Sequence, residues 1–307
     1  MAGAAHAGEP RALARRREPR LAWHHGPMSD KAANDFGGRY DRLAGGYADW
    51  WGPVIAPAAL TVLDTAQPMI ATGATRILDV GTGTGTLAIE AARRWPAAHI
   101  DAVDSSDGML AVARRTTGAT DGLDADGRLD FRQAFADRLP YPDATFDLVV
   151  SSFVLQLVPN RHRALREARR VLRPGGHIVL ITWLASRADA PFEPDEVFDD
   201  VLEEFDLDVP GDDPHPGDFE SPAAAAAQFR RAGFREVQTE EGLLRHAYQA
   251  DEYADFLERF DEEDLFASLD RVRRKRVRAE LLSRLRALPA DDLVLRLPTV
   301  LVRGVRP

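Results

Sequence analysis

Apolar positions along this 307-residue chain follow two alternating periods. Short runs rich in Val, Ile, Leu and Phe at 76–80, 99–103, 129–134, 146–152 and 177–183 read as strands. Between them, 85–95, 106–115 and 161–172 carry helical spacing. In the last of these, Ala164, Leu165, Ala168, Val171 and Leu172 share one face, while Arg163, Arg166, Arg169 and Arg170 share the other. "ILDV" and "HIVLITW" are apolar throughout, as strands covered on both faces must be. Alternation of this kind predicts a doubly wound, mostly parallel α/β sheet with helices on either side. A short strand near 235–239 and a closing strand in "LVLRLPTVLVRGVRP" bring the expected count to seven.

The flanking segments are less regular. Residues 1–27 hold five Arg against two Glu without amphipathic period and read as a disordered leader ahead of Met28. Residues 28–70 read as an aromatic-rich helical cap and 71–186 as the core. The acidic, Pro-rich stretch 187–225 is expected to be a lid inserted outside the core. Residues 226–307 return to the core, interrupted by a charged helical stretch at 251–287.

Composition removes several classes of function. A formal charge of −10 speaks against nucleic-acid binding, and the basic run 271–278 beside acidic 261–264 reads as a solvated helical face. With no Cys there is neither disulfide framework nor thiolate, and no His/Asp/Glu cluster has metal-ligand spacing, so no metal is expected. No apolar run is expected to reach the length of a membrane span, and a cytoplasmic protein is expected.

Candidate chemistry concentrates in "RILDVGTGTGTLAIEAARRWP", a strand, a turn with Gly81, Gly83 and Gly85 at alternate positions, and a helix. No Lys follows these glycines, which excludes a P-loop for nucleoside triphosphates. The frame Gly83, Gly85, Ala88 fits the dinucleotide pattern, yet a single carboxylate would satisfy such a loop as well as a pyrophosphate. Asp79 ends the first strand. Asp104 ends the second, where its carboxylate can accept hydrogen bonds from both hydroxyls of a ribose. Ser106 is placed to cap the helix that follows.

The consecutive segments "ILDVGTGTGTLA", "VDSSDGML", "LPYPDATFDLVVSSFVLQLV" and "ALREARRVLRPGGHIVLITW" resemble the ordered motifs of class I S-adenosylmethionine-dependent methyltransferases. They are most similar to the ubiquinone/menaquinone-biosynthesis-like branch (methyltransferase type 11). The resemblance implies a Rossmann-like seven-stranded fold, S-adenosyl-L-methionine as cofactor and a small-molecule methyl acceptor, with a second copy of the chain as a further option. It implies that Gly81, Thr82, Gly83 and Gly85 wrap the methionine part, Asp79 holds its amino group or the loop, and Asp104 holds the ribose. Ser105 and Met109 fall at nucleoside contacts, Ser152 at a cofactor-lining position, and Tyr40 and Tyr47 in a cap over the cofactor or simply in aromatic packing.

One departure concerns adenine. Where the family commonly has Asp in "GDAEDLPF", this chain reads "QAFADRLPY", with Phe135 at that position, followed by Ala136 and Asp137. Either Phe135 packs on the ring, or Asp137 supplies the polar contact from the same side of an extended segment. No catalytic dyad is visible; His162, His177 and His246 are candidates by type alone, and Gln156 is expected to face the acceptor.

Overall fold

The computed structural model describes residues 35–119, 127–185, 192–207 and 217–307. The leader 1–27 and parts of the 187–225 segment lie outside the described residues. Seven strands form one sheet in the order β3-β2-β1-β4-β5-β7-β6. They are β1 (Arg76–Val80), β2 (His99–Asp104), β3 (Leu129–Gln133), β4 (Phe146–Ser152), β5 (Leu172–Trp183), β6 (Arg235–Ala247) and β7 (Val294–Val305). The first five run parallel, and β7 lies antiparallel between β5 and β6. The doubly wound, mostly parallel reading therefore holds, with β6 extending to 13 residues rather than the five expected.

Strand alternation shows how both faces are covered. Ile77, Leu148, Val150, Val179 and Ile181 belong to one apolar core. Their neighbours Leu78, Val149, Ile178 and Leu180 belong to another on the opposite face. The first core is closed by α2 (Gly52–Ala71), α3 (Thr86–Arg94) and a C-terminal helical group. The second is closed by α5 (Arg161–Val171) and α7 (Pro222–Arg231). Two further helices frame the site below: α1 (Asp35–Gly46), joined to α2 by a π-helical turn at Tyr47–Trp51, and α4 (Asp107–Gly118).

Two expectations need correction. Helix α6 (Glu193–Glu204) is no loose lid: Phe198, Val201 and Leu202, spaced i, i+3, i+4, are buried in the first core, and Pro194 is buried one turn earlier. The stretch 251–287 is helical, divided into α8 (Ala250–Phe256), a π-helical turn at Leu257–Asp261, α9 (Glu263–Ser268) and α10 (Arg271–Leu285). The continuous helical run Tyr40–Ala71 is long and apolar enough to cross a bilayer by length and composition. Here its Val62, Leu63 and Ala66 are fully buried against the sheet, as in a core helix.

Candidate active site

A cleft of about 400 Å³ opens at the C-terminal ends of β1, β2 and β4, the usual place for a ligand in an open α/β sheet. Its floor is the turn after β1. Gly81, Gly83 and Gly85 all have positive φ, of 71°, 56° and 91°. At Gly81 the requirement is also one of space, because a Cβ there would lie 2.2 Å from a methyl of Val154.

The turn's amides decide which ligand it can take. Those of Gly81 and Thr82 donate to the Val103 carbonyl at 2.8 and 2.9 Å, and that of Gly85 donates to Thr82 O at 2.9 Å. The Gly83 amide donates to Asp104 Oδ2 at 2.8 Å. Four of the donors that would cradle a pyrophosphate are thus already committed to the protein. The Asp104 carboxylate lines the cleft in place of a phosphate nest.

Asp104 forms the wall. Oδ1 accepts the Ser106 amide at 2.9 Å while Oδ2 holds Gly83, so each oxygen keeps lone-pair capacity toward the cleft. Burial raises its carboxyl above the ordinary value, against the pull of the Ser106 and Gly83 amides. Beneath the turn, Asp79 is buried, and neither its two oxygens nor Thr82 Oγ1 has a hydrogen-bond partner. Burial pushes the Asp79 carboxyl up to about 7, with Thr82 opposing and Asp104 adding to the shift. A buried carboxyl and hydroxyl short of strong hydrogen bonds thus lie side by side beneath the cleft floor.

A cap closes the cleft from above, and its fastening was not legible in the sequence. Asp41 on α1 accepts hydrogen bonds from Ser106 Oγ at 2.6 Å and from the Gly108 amide at 2.8 Å. Those two bonds hold its carboxyl below the ordinary value. Ser106 Oγ in turn accepts from the Met109 amide, the expected N-cap of α4. A Cβ at Gly108 would sit 2.7 Å from Asp41 Cα, so only glycine lets α1 lie this close. Hydrogen bonds therefore run from the cap through Ser106 to Asp104 and on to Gly83. Tyr40 and Tyr47, edge to face at 6.3 Å, complete the cap inside the cleft. Burial holds the Tyr47 hydroxyl well above its ordinary pKa, so it stays protonated.

Asp41→Ala is expected to speed cofactor release about fivefold, the loss of roughly 1 kcal/mol of fastening. Stopped-flow dissociation measures it; an unchanged rate would mean the cap does not guard the cleft.

Of the residues expected from sequence, Tyr40, Gly81, Gly83, Asp104, Ser105 and Met109 line the cleft, as do Phe135, Ala136, Asp137 and Ser152. Asp79, Thr82 and Gly85 lie beneath or behind it. The 135–138 segment is not extended, because Arg138 N donates to Phe135 O at 2.9 Å in a tight turn. The period-two argument relating Asp137 to Phe135 therefore fails. Asp137 faces Arg163 at 3.7 Å, and Phe135 stands 45% exposed at the rim, an open aromatic face beside the cleft.

Gln156 does not face the cleft. Its Nε2 donates to Phe153 O at 2.6 Å and its Oε1 accepts from Thr182 Oγ1 at 2.7 Å, all in the interior. It braces Phe153, a bulky residue held at φ 54° and stacked on Trp183 at 3.9 Å. Phe153 and Val154, which sequence reasoning missed, do line the cleft. None of His162, His177 or His246 does: the first is exposed, the second sits on β5, and the third lies 3.5 Å from Glu252. Among the described residues no group of three or more His, Cys, Asp or Glu could hold a metal ion.

Sheet order, glycine turn and the acid ending β2 together define a class I methyltransferase fold. Residues 77–176 match the methyltransferase domain family. A ubiquinone/menaquinone biosynthesis C-methyltransferase (UbiE) of Methylobacterium nodulans is 40% identical over 117 residues, 38% of this chain and 44% of that protein. The chain spans less than half the length of the curated relatives it matches. Among solved structures, the [4+2]-cyclase SpnF is similar with TM-score 0.56 at 21% identity, over 92% of this chain and 99% of that one. Phosphoethanolamine N-methyltransferase 2 of Haemonchus contortus, solved with S-adenosylhomocysteine, has TM-score 0.53 at 17% identity, over 91% and 61%. At these identities both likenesses describe the fold.

Proposed function

We propose that the protein is an S-adenosylmethionine-dependent methyltransferase acting on a small-molecule acceptor by direct in-line transfer. The observation that carries this reading is the pairing of an acid open to two hydroxyls with a glycine turn whose amides are already taken. That pairing suits a nucleoside without phosphates and disfavours the dinucleotide of an oxidoreductase. When bound, S-adenosylmethionine supplies a methyl group activated by a positively charged sulfur.

The chain's own residues do the rest. Asp104 would hold the ribose hydroxyls, Asp79 and Thr82 the ammonium end, and Phe135 the adenine face. Tyr40 and Tyr47 exclude water from above, and Phe153 and Val154 shape the far wall. The titratable groups lining the cleft are two tyrosines, two acids and two arginines, so alignment and dryness, rather than a base dyad, carry the rate. Incubation with methyl-labelled cofactor and a metabolite extract should yield S-adenosylhomocysteine together with a labelled small molecule. Cofactor bound tightly with no label transferred would contradict the reading.

Asp79 gives the site a pH dependence. Its carboxyl titrates near 7 in the free protein, and a bound ammonium favours the ionised form, so binding lowers that pKa. Affinity must then fall as pH drops below about 7, by up to roughly tenfold per unit. The window from pH 7 to about 5.5 lies below the titration of the ligand's own amino group, near 8. Titrations across it should show the decline in the native protein and a flat profile in Asp79→Asn.

A further inference from the structure

The sheet ends in β3 on one side and β6 on the other. β3 is five residues long, and a short edge strand offers little to pair with. β6 runs for 13 residues, with 240–243 and 245 exposed, and contains neither Pro nor Lys to blunt it. A long edge of this kind is a template for one more strand.

The direction of its backbone groups follows from β7. Leu184 N donates to Pro298 O at 3.0 Å, so the backbone of Pro298 faces β5. Leu243 lies opposite Pro298 in the β6–β7 pair. In antiparallel strands the N–H and C=O of one residue point the same way, and the direction alternates along the strand. Those of Leu243 therefore face outward, as do those of Thr239, Glu241, Arg245 and Ala247. Among the described residues no hydrogen bond reaches these outward groups. Glu241, Leu243 and Arg245 also share one face of the sheet, while Leu244 between them is buried in the first core. Leu243 is 50% exposed. Glu241 and Arg245 are exposed and form no ion pair with another described residue.

We propose that a second copy of this chain pairs antiparallel along β6, about a two-fold axis at Leu243, joining the two sheets into one. That register sets Leu243 against the partner's Leu243. It sets Glu241 against the partner's Arg245 and Arg245 against the partner's Glu241, and in each pair outward backbone groups meet outward ones. Neighbouring registers lack this match. An axis at Glu241 or at Arg245 opposes like charges, and one at Gly242 or Leu244 sets one of the two charges against the partner's Leu243. The charges that guard the edge against foreign strands thus admit one register of the chain itself. β5 and β7 separate this edge from β4, so pairing there does not touch the cleft, and the proposal does not rest on the methyltransferase reading.

Sedimentation of the full chain tests it. The native chain should be a dimer at hundreds of micromolar, and a monomer there would overturn the proposal. Glu241→Arg and Arg245→Glu, each at an exposed position, should each raise the dimer dissociation constant about tenfold or more, because two attractions become two repulsions. Mixed together, the two single variants should form a dimer again, since every charge then meets its opposite. The double variant, Glu241→Arg with Arg245→Glu, should dimerise alone, while melting curves report the fold of all three. A dimer indifferent to both single reversals would place the contact elsewhere and overturn the proposal. Losses that neither the mixture nor the double variant restores would overturn the register.

Discussion

Asp104→Ala is expected to weaken cofactor binding by roughly 2–3 kcal/mol, or about 30- to 150-fold. Two effects add. The ribose loses a charged acceptor for both hydroxyls, and the Gly83 and Ser106 amides lose the oxygens that hold turn and α4 in register. Asp104→Asn should fall between, since its amide keeps one acceptor but replaces the other with a donor. Calorimetric dissociation constants beside melting curves separate these contributions. Wild-type affinity in a folded Asp104→Ala protein would remove the ribose assignment.

Gly81→Ala is expected to damage both stability and affinity. A side chain at φ 71° carries backbone strain on the order of 1–3 kcal/mol. The added methyl meets Val154 Cγ2 at 2.2 Å and Cγ1 at 2.7 Å, and overpacking of that kind costs about 1–3 kcal/mol more. Val154→Ala in the same chain should recover the second part and not the first. A double-mutant cycle on melting temperature therefore reads strain and collision separately. If the double variant melts no higher than Gly81→Ala alone, the collision has no weight.

Local chemistry was the legible part of this chain. The strands of the core, the glycine turn, the Ser106 cap and the acid ending β2 are set by neighbours close in sequence, so pattern alone finds them. Asp41 meets Ser106 across 65 positions, and nothing in "GRYDRLAGG" announces that partner. The α6 segment misled because its acidic and Pro-rich composition outweighed an apolar spacing at 194, 198, 201 and 202 that was present throughout. Asp137 lines the cleft, but not for the reason of alternation: a four-residue turn leaves no period to read, and the backbone folds back there. Gln156 sits at the strand end where ligands gather, yet its amide has the strained Phe153 turn and Thr182 to satisfy. Position in the fold nominated it, and hydrogen-bond demand assigned it elsewhere.

Likeness to a cyclase as well as to methyltransferases shows why the fold alone cannot assign the chemistry of the cleft. The claim with most resting on it is that the glycine turn and Asp104 hold an adenosine ligand bearing no phosphate. Calorimetric titration with S-adenosylhomocysteine, run in parallel with a nicotinamide dinucleotide, tests it most directly. The account predicts one S-adenosylhomocysteine per chain, displaced by S-adenosylmethionine, and no heat from the dinucleotide. Saturable binding of the dinucleotide with none of S-adenosylhomocysteine would contradict it.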